Sequence, residues 1–177
     1  MAGRELQLIS VGNLPPSFLK ELEEPITAVL GVSVFTGKTQ LTKPQYAFNK
    51  DRNQYHSNAI MRRLLTVKEP GARLCLGVCD VDLFVPDAQF VYGEADRESK
   101  TAVFSVFRLK TEGELYRRRT HIEALHQAGH LVGLSYCEDV RCAMFFATSL
   151  SDCDRRNQSL CNNCRNELNK LKARPIL

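Results

Sequence analysis

The residues of this sequence best equipped for chemistry are histidines and cysteines, and they gather in its last third. His126 and His130 stand four residues apart. At 3.6 residues per helical turn, that spacing places both imidazoles on one face, where they can reach a single metal ion. Gly133 follows three residues later. A helix can stop and reverse there, because glycine accepts positive φ. Tyr136 falls where a third ligand would come. His121 is turned about 140° around the helix from His126 and is a poor co-ligand. Beyond lie Cys137, Cys142, Cys161 and Cys164. Each pair can chelate from a tight loop, and zinc takes four thiolates tetrahedrally at about 2.3 Å. With sulfur at all four positions no place remains for substrate, so the expected zinc is structural. Disulfides, buried thiols, or iron in the same set are the alternatives. Residues 143–160 show little periodicity and would draw order from the metal.

The run His126-Gln127-Ala128-Gly129-His130-Leu131-Val132-Gly133-Leu134-Ser135-Tyr136 resembles the metzincin zinc-protease signature, H-E-x-x-H-x-x-G-x-x-H followed by a Met-turn. It is fused directly to Cys137-x4-Cys142-x-Met144 and to Cys161-x2-Cys164. In that combination it is similar to the archaemetzincin family, and Asp82–Pro86, Phe90–Ala95 and Ala102–Ser105 agree. The resemblance implies an α/β (α+β) zincin-like domain with a twisted mixed sheet, a long zinc-site helix and a C-terminal four-cysteine zinc segment. It implies a catalytic zinc on His126, His130 and Tyr136, the general-base position at residue 127, and Met144 as a floor under the histidines. Substrate would lie extended along an edge strand, for which Phe84–Tyr92 is the candidate. An intracellular, cytoplasmic setting is implied as well.

Two positions depart from the signature. Gln127 stands where the family has glutamate, and an amide is no base near neutral pH. Losing general acid–base help costs roughly 10²–10⁴-fold. Tyr136 stands where the third histidine belongs, and a phenol with a pKa near about 10 must lose its proton to ligate well. Both changes push toward lost or very low peptidase activity, so whether the chain is an enzyme is left open. The alternatives are an active peptidase with a His-His-Tyr site, drawing its base from Glu94 or Glu138, and a non-enzymatic peptide-binding or scaffold module. One structural zinc is expected, and a second metal at the histidines stays undecided.

The 177 residues suffice for one domain with a real core. Residues 1–134 would form the sheet and active-site helix, and 135–177 the structural-zinc segment. The net charge of +4 is mild. The basic run Arg117-Arg118-Arg119 reads as a solvated helix face, so neither composition nor pattern calls for nucleic acid. No apolar run nears the roughly 18 residues of a membrane span, and Met1–Leu6 shows no apolar signal region. Seven cysteines suit metal binding better than a disulfide framework; Cys75 and Cys79 read as small buried thiols, and Cys153 has no assigned role. Oligomeric state is not legible. Strands are expected at 5–11, 32–36, 74–80 and 101–109, with a short hairpin-like or edge strand within 84–92 and a polar loop at 93–100. Helices are expected from Pro15-Pro16 to Leu30, kinked or split at Pro25, over 53–67, from about 111 to 134, and from a Ser159 cap to Leu171. Phe145 and Phe146 read as core.

Overall fold

The computed structural model describes residues 5–174; Met1–Arg4, where the leader was sought, lie outside it. Strand β1 (Glu5–Val11) is buried on both faces after its first residue, as its two-sided apolar pattern requires. Helix α1 (Pro16–Leu30) follows, with proline at its first turn and Gly31 closing it in the left-handed region. It runs through Pro25 unbroken. Leu22 and Ile26, on either side of the proline, are buried, and that packing outweighs the one ladder bond that proline removes. β2 (Ser33–Leu41) is longer than its β-branched run, because it pairs in parallel along most of β1.

A 3-10 turn (Gln45–Ala47) leads to β3 (Phe48–Asn49) and β4 (Gln54–His56), then α2 (Ser57–Val67). β5 (Leu74–Cys79) is wholly buried and pairs in parallel with β1. β6 (Leu83–Phe84) pairs with β4, making a second, three-stranded sheet. β7 (Gly93–Asp96) and β8 (Thr101–Ser105) pair antiparallel. The main sheet has the order β2-β1-β5-β8-β7, parallel except for its last strand. The strand beside the histidines is therefore β7, in the stretch expected to be a polar loop. Segment 84–92 holds only Phe84 of β6 and one bridge, Leu83 to Val91, because Pro86-Asp87 interrupts it.

Helix α3 (Gly113–Val132) lies with α1 on one face of the sheet, and α2 covers the other. Leu6, Leu76 and Phe104 face the first layer; Ile9, Cys79 and Val103 face the second. From Arg119 to Val132 every residue of α3 is buried, so the helix is enclosed by sheet, α1 and the segment after Leu134. That last segment carries α4 (Leu150–Arg155), which the pattern did not reveal, and α5 (Asn162–Ala173), capped by Cys161 rather than Ser159. The basic run is only partly solvated. Arg119 forms a two-pronged ion pair with Asp154 at 2.7 and 2.8 Å, and Arg118 donates to the carbonyls of Asp154 and Arg156. Two arginines thus strap the C-terminal segment onto α3. No helix among the described residues is long and apolar enough to cross a membrane.

Candidate metal sites

The four cysteines come together. Sγ atoms of Cys137, Cys142, Cys161 and Cys164 lie within 4.8 Å of one another. Their loops aim N–H groups at sulfur: Asp139 at Cys137, Met144 and Cys161 at Cys142, and Cys164 at Cys161, at 3.4–3.5 Å. Such donors stabilise thiolates. Burial, and next the neighbouring Cys142, push the Cys164 thiol up, whereas at Cys161 burial is outweighed by hydrogen bonds from Cys164 and Cys137, which lower it. Donor number, softness and spacing fit tetrahedral zinc. Two arginines near the cluster in sequence are engaged elsewhere: Arg155 with Asp152, Arg156 with Glu123.

The histidines are held from outside their own helix. Gly133, at φ +112, ends α3 and turns the chain back, so the Leu134 carbonyl arrives under His130 and accepts from its Nδ1 at 2.9 Å. His126 Nδ1 donates to the carbonyl of Ala143 at 2.8 Å, one residue after Cys142. A carbonyl only accepts, so in each neutral ring Nδ1 carries the proton and Nε2 presents a lone pair. Both rings are kept neutral, chiefly by burial, which takes His130 down to about 4 and also lowers His126. The two Nε2 atoms face each other at 3.1 Å. Two lone pairs at that distance repel, and a cation between them reverses the sign. Two zinc–nitrogen bonds of about 2.0–2.1 Å at a tetrahedral angle would set the nitrogens about 3.3–3.4 Å apart, so the pair fits one ion.

Tyr136 closes the group, its ring centroid 4.5 Å from that of His130 and 5.8 Å from that of His126. It is 61% exposed and meets Phe146 edge to face, Phe146 itself being 50% exposed rather than core. Burial, then the charges of Glu123 and Glu94, push its hydroxyl pKa up, away from the phenolate. Met144 is fully buried. Its sulfur occupies the space that a side chain at Gly129 would fill, on the helical turn between the two histidines.

Gln127 does not face solvent. Its Nε2 donates to Glu123 Oε1 at 2.9 Å, and Glu123 Oε2 takes a 2.9 Å ion pair from Arg156. Glu123 and Arg156 have 4% and 1% of their side chains exposed. Burial alone would raise Glu123; Arg156, His126 and the Gln127 amide outweigh it and hold the carboxyl below its usual range. Gln127 Oε1 and Arg156 Nε are buried without a protein partner. Both residues line a polar cavity of about 10 Å³ shared with His126 and Tyr92, enough for one water. The roles of Glu123 and Arg156 at this site are not evident from the sequence pattern alone. A signal existed for the first: a carboxylate three residues before His126 and four before Gln127 shares their helix face.

The model of peptidase family M54 matches residues 16–170. The archaemetzincin of Methanocaldococcus jannaschii is 34% identical over 173 residues, 94% of this chain and 92% of that protein. The chain belongs to the archaemetzincin family. The crystal structure of the Methanopyrus kandleri archaemetzincin superposes with a TM-score of 0.88 at 33% identity, covering 98% of this chain and 97% of that one. A zinc-dependent peptidase from Methanocorpusculum labreanum superposes at 0.82 with 25% identity, over 92% of this chain and 99% of its own. The expected fold class is thereby met, and the four-cysteine cluster is compatible with a zinc ion in a zinc-metallopeptidase family.

Proposed function

We propose that this chain is an archaemetzincin that keeps the family's metal sites and peptide cleft but hydrolyses peptides weakly or not at all. In this reading Cys137, Cys142, Cys161 and Cys164 hold a structural zinc. His126 and His130, with Tyr136 as a third and poorer ligand, hold a second metal that exchanges more readily. A metal there would polarise a scissile carbonyl and lower the pKa of a bound water. The protein's own part would be to take that water's proton, and the observation that carries the proposal is the state of residue 127. Gln127 is an amide whose nitrogen is spent on Glu123, and the carboxylate behind it is neutralised by Arg156. A carboxylate held below its usual pKa by a buried guanidinium is a feeble base. A peptide would lie along β7, just beyond the 84–92 segment, adding a strand to the sheet edge. The seven cysteines, none in a disulfide, suit a reducing, cytoplasmic compartment.

The test is reversal. Gln127→Glu with Tyr136→His is expected to create zinc-dependent cleavage of a peptide library in a protein that previously showed none. Glu123 beneath the new carboxylate would raise its pKa toward neutrality, which favours a base. Robust cleavage by the parent protein, insensitive to Gln127→Ala, would overturn the reading. One observation favours the second candidate: Glu94 lines the same cleft as His130 and Tyr136, whereas Glu138 lies exposed outside it. If the parent does cleave, Glu94→Gln should abolish the activity.

A further inference from the structure

Beside the histidine pair lies an open cleft of about 590 Å³. One wall is the edge strand β7, whose inner side pairs with β8 and whose outer side pairs with no other strand among the described residues. Asn58 and Met61 of α2 form the opposite wall, and His130, Ser135 and Tyr136 close the end. An unpaired edge next to a cleft is where an extended chain adds by backbone hydrogen bonding, with alternate side chains choosing the ligand.

The choosing groups are unequal in sign. Glu94, Asp96 and Glu98 supply three carboxylates, and Arg97 the one guanidinium on the lining. Arg97 is exposed and donates through Nη2 to the Leu134 carbonyl and to Ser135 Oγ at the site's rim, and its single charge leaves the carboxylates in excess. Glu94 takes a hydrogen bond from Ser57, which fixes its carboxylate toward α2. It remains close enough to Tyr136 to act on the phenol electrostatically. The hydrogen bond from Ser99, then the N–H groups of Glu98 and Ser99, hold Asp96 below its usual range despite some burial. The exposed side chain of Tyr136 stands at the end of the same cleft, and an aromatic ring attracts a cation over its face. All this sits in a chain whose net charge is +4. The cleft is negative against a positive background.

Resting on the peptide-cleft reading above, we infer that the preferred occupant is an extended peptide carrying a lysine or arginine next to the histidine pair, its cation set between the Glu94–Asp96 wall and the ring of Tyr136. Acidic peptides are excluded from the same position by like charge.

The test uses the full-length, zinc-loaded protein and three acetylated, amidated alanine hexapeptides, each with one neutral fluorophore. They differ in a single central residue: lysine, norleucine or glutamate. Binding is read by fluorescence anisotropy at low salt. The lysine peptide should bind on the order of tenfold more tightly than its norleucine counterpart, about 1.4 kcal/mol, and the glutamate peptide most weakly. The preference should shrink as salt screens it. It should fall to within about twofold in Glu94→Gln/Asp96→Asn, whose amides keep an acceptor for Ser57 and the turn. Non-specific attraction to a +4 protein would rank the peptides in the opposite order. Equal binding of all three would overturn this inference and leave the peptide-cleft reading standing. Failure of all three to bind would overturn both. A lysine preference that persists undiminished in the double variant would remove the cleft carboxylates as its cause.

Discussion

Replacing Arg156 with methionine tests the buried chain of contacts behind the histidines. The new side chain keeps roughly the length and apolar bulk of the old one and loses the charge. Glu123 is then a carboxylate with 4% of its side chain exposed, whose remaining partner is the amide of Gln127. Breaking a buried pair from one side costs about 3–5 kcal/mol, because it strands the other charge. A chain of this size loses roughly 2–4 °C of Tm per kcal/mol, so the expected fall is about 6–20 °C. Replacing both partners, Arg156→Met with Glu123→Leu, should recover most of it.

The pH dependence carries a sign. In the parent, Glu123 is depressed in the folded state. It contributes stability above its unfolded pKa of about 4.3, and that contribution is lost as pH falls through the folded value. In Arg156→Met burial prevails and the folded pKa rises. The group then favours folding below about pH 4.3 and loses that contribution as pH climbs through its folded value. The gap between parent and variant should therefore be wide at pH 7.5 and narrow at pH 5. Thermal melts followed by circular dichroism, in zinc-replete buffer at both pH values, measure it. A single-variant loss below about 1 kcal/mol, or a gap that widens in acid, would refute the reasoning.

Gly93→Ala would place a Cβ 2.7 Å from the Val103 carbonyl and 2.5 Å from Gln127 Nε2. A loss of about 1–3 kcal/mol in urea unfolding and a shifted Gln127 side-chain amide resonance are expected; an unchanged spectrum would show that the strand yields without touching Gln127. Burial, the largest cause in each case, pushes Cys75 and Cys79 up to about 12 and Cys153 to about 11. The folded zinc-loaded protein should therefore react with a thiol reagent at none of these three. Chelation should expose Cys137, Cys142, Cys161 and Cys164 to it and open residues 137–160 to proteolysis. Reaction of all four before chelation would contradict a filled cysteine site.

What could be read from the sequence was whatever rests on spacing. The histidine pair follows from helical period, and the cysteine quartet from chelate loops. β1, β5, α2 and α3 follow from apolar pattern. β7 was illegible because Gly93-Glu94-Ala95-Asp96 has no β-branched residue; it is a strand only because β8 offers it a partner. Arg118 and Arg119 looked solvated because a basic run usually is, and the strap they form depends on α4, six residues long, which periodicity does not resolve. Neither the Ala143 carbonyl nor the Arg156 guanidinium announces itself. Each matters through where the chain returns, 17 and 33 residues beyond its partner.

That return has a consequence in time. His126 is oriented by the backbone of residue 143, and Glu123 is neutralised by residue 156. Cys161 and Cys164, which gather the loop supplying Ala143, come later still. During synthesis His130 is followed within four residues by the Leu134 carbonyl that aims it, whereas His126 leaves the ribosome well before its own partner. A chain stalled or clipped near residue 140 carries two histidines, a buried-type carboxylate without its counter-ion, and one of the four cluster thiolates. It cannot present its imidazoles to a metal in matched tautomers, so the histidine site matures last, after the cysteine segment has closed.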